Sequence, residues 1–160
     1  SVDLGFIALP TRLKGRITAL LEDRLLAVVP VDHRLASLPR FPIKEVENEP
    51  FISLLETSDH DARRALEAAG VKPNIRYTTK DDYAIIAMVE QGLGVSIMPE
   101  LLLSGRSDNV RIMELTPPAS RTIGLCLPDA DRAGPATARF AQCVSDWVRE
   151  RYSRIQNTTS

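Results

Sequence analysis

The sequence predicts an α/β protein. Short apolar runs alternate with segments of helical periodicity, a pattern typical of strands that are buried between helices. Helix start and stop signals separate these segments, and prolines punctuate the connections between them. With 160 residues, of which 44% are apolar and 26% charged, the chain can bury a substantial core.

Apolar runs give the predicted strands. Most are near-continuous stretches of Val, Ile, Leu and Phe, the composition of parallel strands that are buried on both faces. The runs are Val2–Leu9, Leu25–Val31, Phe51–Leu54, Ile75–Thr79, Val95–Met98, Val110–Leu115 and Ile123–Leu127. Because parallel strands need neighbours on both sides, the first run predicts an exposed sheet edge unless another copy or further sequence covers it.

Two helices are marked at both ends. The first is predicted over Asp59–Ala69, with a capping box that starts at Ser58 and a left-handed terminator at Gly70. The second follows the strand that ends at Thr79. It carries two carboxylates, Asp81–Asp82, in its first turn, and Gly92 lies near its end.

A third helix is predicted to begin at Pro135, since proline suits the first helical position. Its apolar residues follow the spacing of one buried face: Phe140, Cys143, Val144, Trp147 and Val148. The polar tail 153–160 is expected to fray, and the proline-containing segment 31–50 is expected to be rich in loops.

Composition excludes several functions. The formal net charge of −1 gives the chain no electrostatic footprint for nucleic acid. The apolar runs are too short to span a bilayer, and the N-terminus has no signal peptide, so a cytoplasmic location is expected. Cys126 and Cys143 are interpreted as small buried hydrophobes. Because His33 and His60 lack companions at metal-ligand spacing, no metal and no cofactor are expected.

Four stretches resemble the effector-binding domain of LysR-type transcription regulators. They are VDLGFI (residues 2–7), LLAVVPVDHRLA (25–36), ENEPFISL (47–54) and the long run 63–103. The last is the most specific, with the order helix, glycine, proline-led strand, helix, and a Gly-Leu-Gly-Val strand that ends in proline. Arg34 stands where the family usually has proline, which leaves that turn less rigid.

The resemblance implies a periplasmic-binding-protein-like (type 2) architecture with two α/β lobes. Lobe one would contain residues 1–30 and 121–152 and would be incomplete, and lobe two would contain residues 31–120. The predicted strands at 25–31 and 123–127 would connect them, with a small-molecule effector in the cleft between the lobes. The resemblance also implies a homo-oligomer, a dimer by analogy, that contacts DNA only through a winged helix-turn-helix absent from this sequence.

The predicted effector site lies where strands end and helices begin, since helix N-termini present unpaired N–H groups. The candidate residues are Leu9, Pro10, Leu54, Leu55, Glu56, Thr57, Ser58, Thr79 and Pro99. Ser58 has a second interpretation as a helix cap alone. Acidic residues near the same helix start favour an amine-bearing, zwitterionic or neutral effector over a simple organic anion. Arg12, Lys14 and Arg16 would restore anion affinity if they reached the site, but charge runs of this kind usually face solvent.

Three other functions are alternatives to effector sensing. The sequence lacks a nucleophile elbow, a phosphate-binding glycine loop and a metalloprotease helix, which argues against an enzyme. A transport-type solute-binding protein shares the expected fold and stays the main alternative, because residues upstream would decide between a helix-turn-helix and an export signal. A protein-interaction module without ligand binding is the third interpretation.

Overall fold

The structure, a computed structural model, describes residues 3–55, 61–104 and 109–156, with side chains described as far as residue 152. Strands and helices alternate along the chain. The elements are β1 (Gly5–Leu9), β2 (Arg16–Pro30), β3 (Phe41–Pro42), a 3-10 helix (Ile43–Asn48), β4 (Pro50–Leu54), α1 (Asp61–Ala68), β5 (Asn74–Thr79), α2 (Asp82–Glu90), β6 (Ser96–Pro99), α3 (Glu100–Leu103), β7 (Val110–Leu127) and α4 (Pro135–Gln156).

The chain divides into two compact units. The first contains Ser1–Asp23 and Arg121–Ser160, and the second contains Arg24–Ser120. The strands β2 and β7 each run from one unit into the other. The first boundary therefore falls after Asp23 and not after residue 30, because the apolar residues that follow Arg24 are buried in the core of the second unit.

In the first unit, β1 lies antiparallel to β7, with Gly5 opposite Cys126 and Leu9 opposite Thr122. The parallel arrangement predicted for this strand is wrong, although β1 does stand at one end of the strand order. Cys126 is buried, as predicted. Gly15 adopts a φ of 137° beside the end of β7, where a Cβ would lie 2.4 Å from the Leu127 carbonyl oxygen.

The helix α4 begins at Pro135 as predicted, but its apolar face is mostly uncovered within the described residues. Val148 is buried, whereas Phe140 and Trp147 are more than half exposed, and Cys143 is exposed as well. Helical periodicity predicts which residues share a face but not what packs against that face. The fraying predicted from residue 153 is wrong as far as Gln156, since the helix continues to that residue.

The second unit has helices on both sides of β2. Leu25, Ala27 and Val29 of β2 belong to one apolar cluster, and Leu26 and Val28 belong to another. The first cluster also holds residues of α1 and the 3-10 helix: Ala62, Leu66, Ile43 and Val46. The second holds residues of α2 and α3: Ile85, Ile86, Val89 and Leu103. Because successive strand residues point to opposite faces, the part of β2 from Leu25 onward is buried on both faces, as the continuous apolar run predicts.

The Gly-Leu-Gly-Val segment has a structural reason for each glycine. Gly92 adopts a φ of 73° at the end of α2, and its N–H donates to the carbonyl of Val89 at 2.9 Å. Gly94 has a different role, because a Cβ there would lie 2.3 Å from the carbonyl oxygen of Pro50. Only glycine allows the chain to pass this close to the start of β4. The terminator predicted at Gly70 is likewise confirmed, with a φ of 69°.

Other predicted elements differ from those observed. The two predicted strands at 110–115 and 123–127 are one continuous strand, β7. The strand predicted at 25–31 begins much earlier, at Arg16. The segment 31–50, predicted to be rich in loops, also contains β3 and the 3-10 helix Ile43–Asn48. Ser58, the predicted cap of α1, lies outside the described residues.

Candidate functional site

The carboxyl ends of β4 and β5 lie side by side in the second unit. The two strands are parallel, with Leu54 opposite Thr79, and the Leu55 N–H donates to the Thr79 carbonyl at 2.8 Å. A parallel bridge between Phe51 and Val95 places β4 between β5 and the segment that leads into β6. Ends of parallel strands are where α/β proteins commonly bind ligands.

The Thr79 hydroxyl lies at the start of α2. Its Oγ1 accepts the Asp81 N–H at 3.1 Å, and the Asp81 carboxylate in turn accepts the Tyr83 N–H at 2.8 Å as the cap of the helix. Because the oxygen of Thr79 is used as an acceptor here, its O–H proton can be donated to a ligand. The N-terminus of α2, with its partial positive charge, lies at the same place.

Two serines support this edge, and the sequence interpretation did not single out either of them. Ser96 is buried, and its Oγ donates to the Ile52 carbonyl at 2.7 Å. Ser53 is partly buried, and its Oγ donates to the Leu54 carbonyl at 3.0 Å. A hydroxyl inside an otherwise apolar run was the available signal, since a buried hydroxyl needs a hydrogen-bond partner.

The structure brings together three of the predicted site residues, namely Leu54, Leu55 and Thr79. Pro99 is buried at the end of β6, opposite Leu25 of β2. The remaining candidates, Leu9, Pro10, Glu56, Thr57 and Ser58, cannot be placed at this edge. Leu9 ends β1 in the other unit, and Pro10 follows it after a cis peptide bond. The other three lie outside the described residues, so their part in the site stays a prediction.

Arg24 of β2 forms ion pairs with Glu100 of α3 and Glu114 of β7. The Arg24 guanidinium binds both oxygens of Glu100, at 2.7 and 2.9 Å, and one oxygen of Glu114 at 2.7 Å. The hydrogen bonds from Arg24 lower the pKa of Glu100 below its ordinary value, while partial burial opposes that shift. The same contacts raise the pKa of Arg24. Arg24 is therefore held by two carboxylates of its own unit.

Asp61, expected to repel an anion at the start of α1, is paired with Arg64, which offsets its charge. Arg12, Lys14 and Arg16 are exposed in the first unit, and Arg16 lies 4.0 Å from Asp131.

Within the residues that the structure describes, no group of three or more His, Cys, Asp or Glu side chains could hold a metal ion. Across the same residues, no helix is both long enough and apolar enough to cross a membrane.

The family described as the LysR substrate binding domain matches residues 1–149 of this sequence. The chain belongs to this family. The HTH-type transcriptional regulator YvbU of Bacillus subtilis is 26% identical over 147 residues, which are 91% of this chain and 50% of YvbU. The chain thus spans about half the length of this relative. The family predicted from the four sequence stretches is confirmed.

Solved structures of LysR regulatory domains share the fold. The Synechocystis PCC6803 CcmR regulatory domain, solved in complex with 2-PG, is similar with a TM-score of 0.83 at 17% identity, over 93% of this chain and 74% of that one. The effector-binding domain of QuiR, solved in complex with shikimate, has a TM-score of 0.81 at 20% identity, over 93% and 73% of the two chains. The predicted α/β fold of the periplasmic-binding-protein type is confirmed.

Proposed function

We propose that this chain senses a small-molecule effector for a LysR-type transcription regulator and binds it at the carboxyl ends of β4 and β5. One observation carries the proposal. The pairing of Leu54 with Thr79 places the end of β4 beside Thr79, and the hydroxyl proton of Thr79 is available to a ligand at the N-terminus of α2. Membership of the LysR substrate binding domain family supports the same interpretation. CcmR and QuiR, which share the fold, were solved with small organic molecules bound.

The proposed regulator acts through a part of the protein outside this chain. Because the chain spans about half of YvbU, DNA binding is assigned to a helix-turn-helix beyond residues 1–160, and no catalysis is assigned to the chain. An effector that binds one conformation more tightly than another shifts the balance between them, which is how a signal would reach DNA. Action on DNA would place the protein in the cytoplasm.

Residues predicted from the sequence complete the proposed site. Leu9, Pro10, Glu56, Thr57, Ser58 and Pro99 are assigned to it by that prediction. A transport-type solute-binding protein stays the alternative function, but the matched relatives, such as YvbU, are transcription regulators. Relatives of this kind support sensing over transport.

A thermal-shift screen tests the proposal, because a ligand that binds only the folded chain raises its melting temperature by mass action. The panel would hold aromatic acids, amino acids, and sulfur and nitrogen metabolites, with 2-PG and shikimate included. We expect at least one compound to stabilise the chain in a concentration-dependent way. No shift with any compound would contradict effector sensing and favour an interaction module.

The Thr79→Val variant tests where the compound binds. Valine keeps the shape of threonine and removes the hydroxyl, so the affinity for a stabilising compound should fall by about tenfold, the value of one hydrogen bond to a polar or charged ligand group. Thr78→Val is the matched control, because Thr78 is exposed on the opposite face of the same strand and should leave affinity unchanged. Equal affinity in both variants would contradict the assigned site.

We also propose that the chain forms a homo-oligomer, as the family resemblance implies. Light scattering coupled to size exclusion should give a mass of at least twice 17.7 kDa at micromolar concentration. A mass of one chain at every concentration would contradict it.

A further inference from the structure

A cavity that is open to solvent lies within the second unit, and residues near the end of β2 and the start of β7 line it. Its volume is about 470 Å³, and most of its lining residues are exposed. The lining residues are Val31, Asp32, His33, Ala36, Ser37 and Arg111. None of them belongs to the effector site proposed at Leu54 and Thr79.

The two charged side chains that line this cavity, Asp32 and Arg111, have opposite signs and do not form an ion pair with each other. Asp32 and Arg111 both line it, yet among the residues that the structure describes neither forms an ion pair within 4.0 Å. Opposite charges in one cavity attract a ligand that carries both signs, with its anion towards the guanidinium and its cation towards the carboxylate. A ligand with one charge would meet one attractive and one repulsive group.

The segment that carries Asp32 is held in a fixed turn. The His33 N–H donates to the Pro30 carbonyl at 3.0 Å, and the Ala36 N–H donates to the His33 carbonyl at 2.8 Å. The Leu35 N–H donates to the His33 ring at Nδ1, at 3.2 Å. The imidazole is about nine-tenths buried, and its Nε2 lies 3.2 Å from Glu49 Oε2 without the alignment of a hydrogen bond. Because these hydrogen bonds already fix the turn, it loses little conformational freedom when a ligand binds.

The rest of the lining suits a small aliphatic group with a polar end. Val31 is 60% exposed, an apolar side chain that a ligand would cover, and Ala36 lies beside it in the same lining. Ser37 contributes a hydroxyl that can both donate and accept a hydrogen bond. On the other wall, Arg111 follows the buried Val110 in β7, so its backbone is fixed by the core.

We propose that this cavity binds a free α-amino acid with a short aliphatic side chain. The carboxylate pairs with Arg111, the ammonium pairs with Asp32, and the side chain covers Val31 and Ala36. The site is independent of the proposed effector site, and the second unit would then hold two ligands.

Amide-resolved NMR titration of the full chain with L-valine tests this proposal. We expect saturable shifts at Asp32, Ser37 and Arg111 with a millimolar dissociation constant, because both charge pairs form near solvent. L-valinamide lacks the carboxylate and N-acetyl-L-valine lacks the ammonium, so each should bind at least about fivefold more weakly, the loss of one charge-assisted contact. No saturable shift, or equal binding of N-acetyl-L-valine, would overturn the proposal.

Two variants locate the contacts. Arg111→Gln and Asp32→Asn should each weaken L-valine binding by at least about fivefold. Arg139→Gln, on the exposed surface of α4, is the matched control and should leave it unchanged. Shifts confined to Leu54, Leu55 and Thr79 would overturn this proposal while supporting the effector site, so the two can fail separately.

Discussion

Asp23 is a charged residue in a nearly fully buried position. Its side chain is 1% exposed, and Oδ2 accepts a hydrogen bond from the Arg121 Nε at 2.8 Å. An ionised carboxylate tolerates such burial only with a partner of opposite charge. The pair joins β2 to β7 inside the first unit, next to the points where both strands leave it.

Asp23→Ala should strongly destabilise the chain. Removal of the Asp23 carboxylate breaks its ion pair with Arg121, and the loss of one partner of a buried pair costs about 3–5 kcal/mol in the free energy of unfolding. Urea denaturation measures this change. Asp131→Ala is the control, because that side chain is 98% exposed, and it should change stability by less than about 0.5 kcal/mol. A similar small change in both variants would contradict the structural role of the pair.

Glu100 should make stability depend on pH. The Arg24 hydrogen bonds lower its pKa in the folded chain below the ordinary value of 4.5. The stabilisation is therefore fully present above about pH 4.5 and is lost as the pH falls through the lower, folded-state pKa. The stability difference between wild type and Glu100→Gln should be largest near neutral pH and should shrink in acid. A difference that does not vary with pH would contradict the ion pair.

The hydroxyl residues show which site residues could be predicted from the sequence and which could not. Thr79 was predicted because it ends an apolar run before a helix signal, and the structure places it beside Leu54 and Leu55. Ser96 was not predicted, because its hydrogen-bond partner is the Ile52 carbonyl, 44 residues away in the chain. Local patterns carry no information about such distant partners.

At the scale of elements, Gly94 controls how closely the segment before β6 approaches β4. A Cβ at this position would meet the Pro50 backbone, and the Phe51–Val95 bridge follows directly. Gly94→Ala should therefore destabilise the chain by about 1–3 kcal/mol, the usual cost of overpacking. Gly5→Ala in β1 is the control, because no atom lies within 4 Å of the added Cβ. Equal losses of stability in the Gly94→Ala and Gly5→Ala variants, measured by thermal denaturation, would contradict the close approach of Gly94 to Pro50.

Helices and buried strands could be predicted from the sequence because their signals are local. The left-handed glycines, Gly70 and Gly92, end helices where expected. The full lengths of β2 and β7 could not be predicted, since polar residues or prolines interrupt their apolar runs, as at Glu22–Arg24 of β2 and Pro117–Pro118 of β7. The antiparallel direction of β1 depends on pairing with β7, more than a hundred residues later in the chain. An apolar run does not show that direction.

At the scale of the whole molecule, the family assignment came from an order of elements and not from any single residue. The order of helix, glycine, proline-led strand, helix and Gly-Leu-Gly-Val strand fits α1, β5, α2 and β6 of the second unit. Within that unit, the described candidate site residues Leu54, Leu55 and Thr79 come together. The sequence predicts only the general chemistry of the effector, because patterns of residue type do not show which side chains contact it.

Amide hydrogen exchange, with and without a stabilising compound from the thermal-shift panel, tests the central claim most directly. A bound effector suppresses the local opening that exposes amides at its site. The account predicts slower exchange at Leu54, Leu55 and the first turn of α2, with the exposed surface of α4 unchanged. Protection that excludes the ends of β4 and β5 would contradict it.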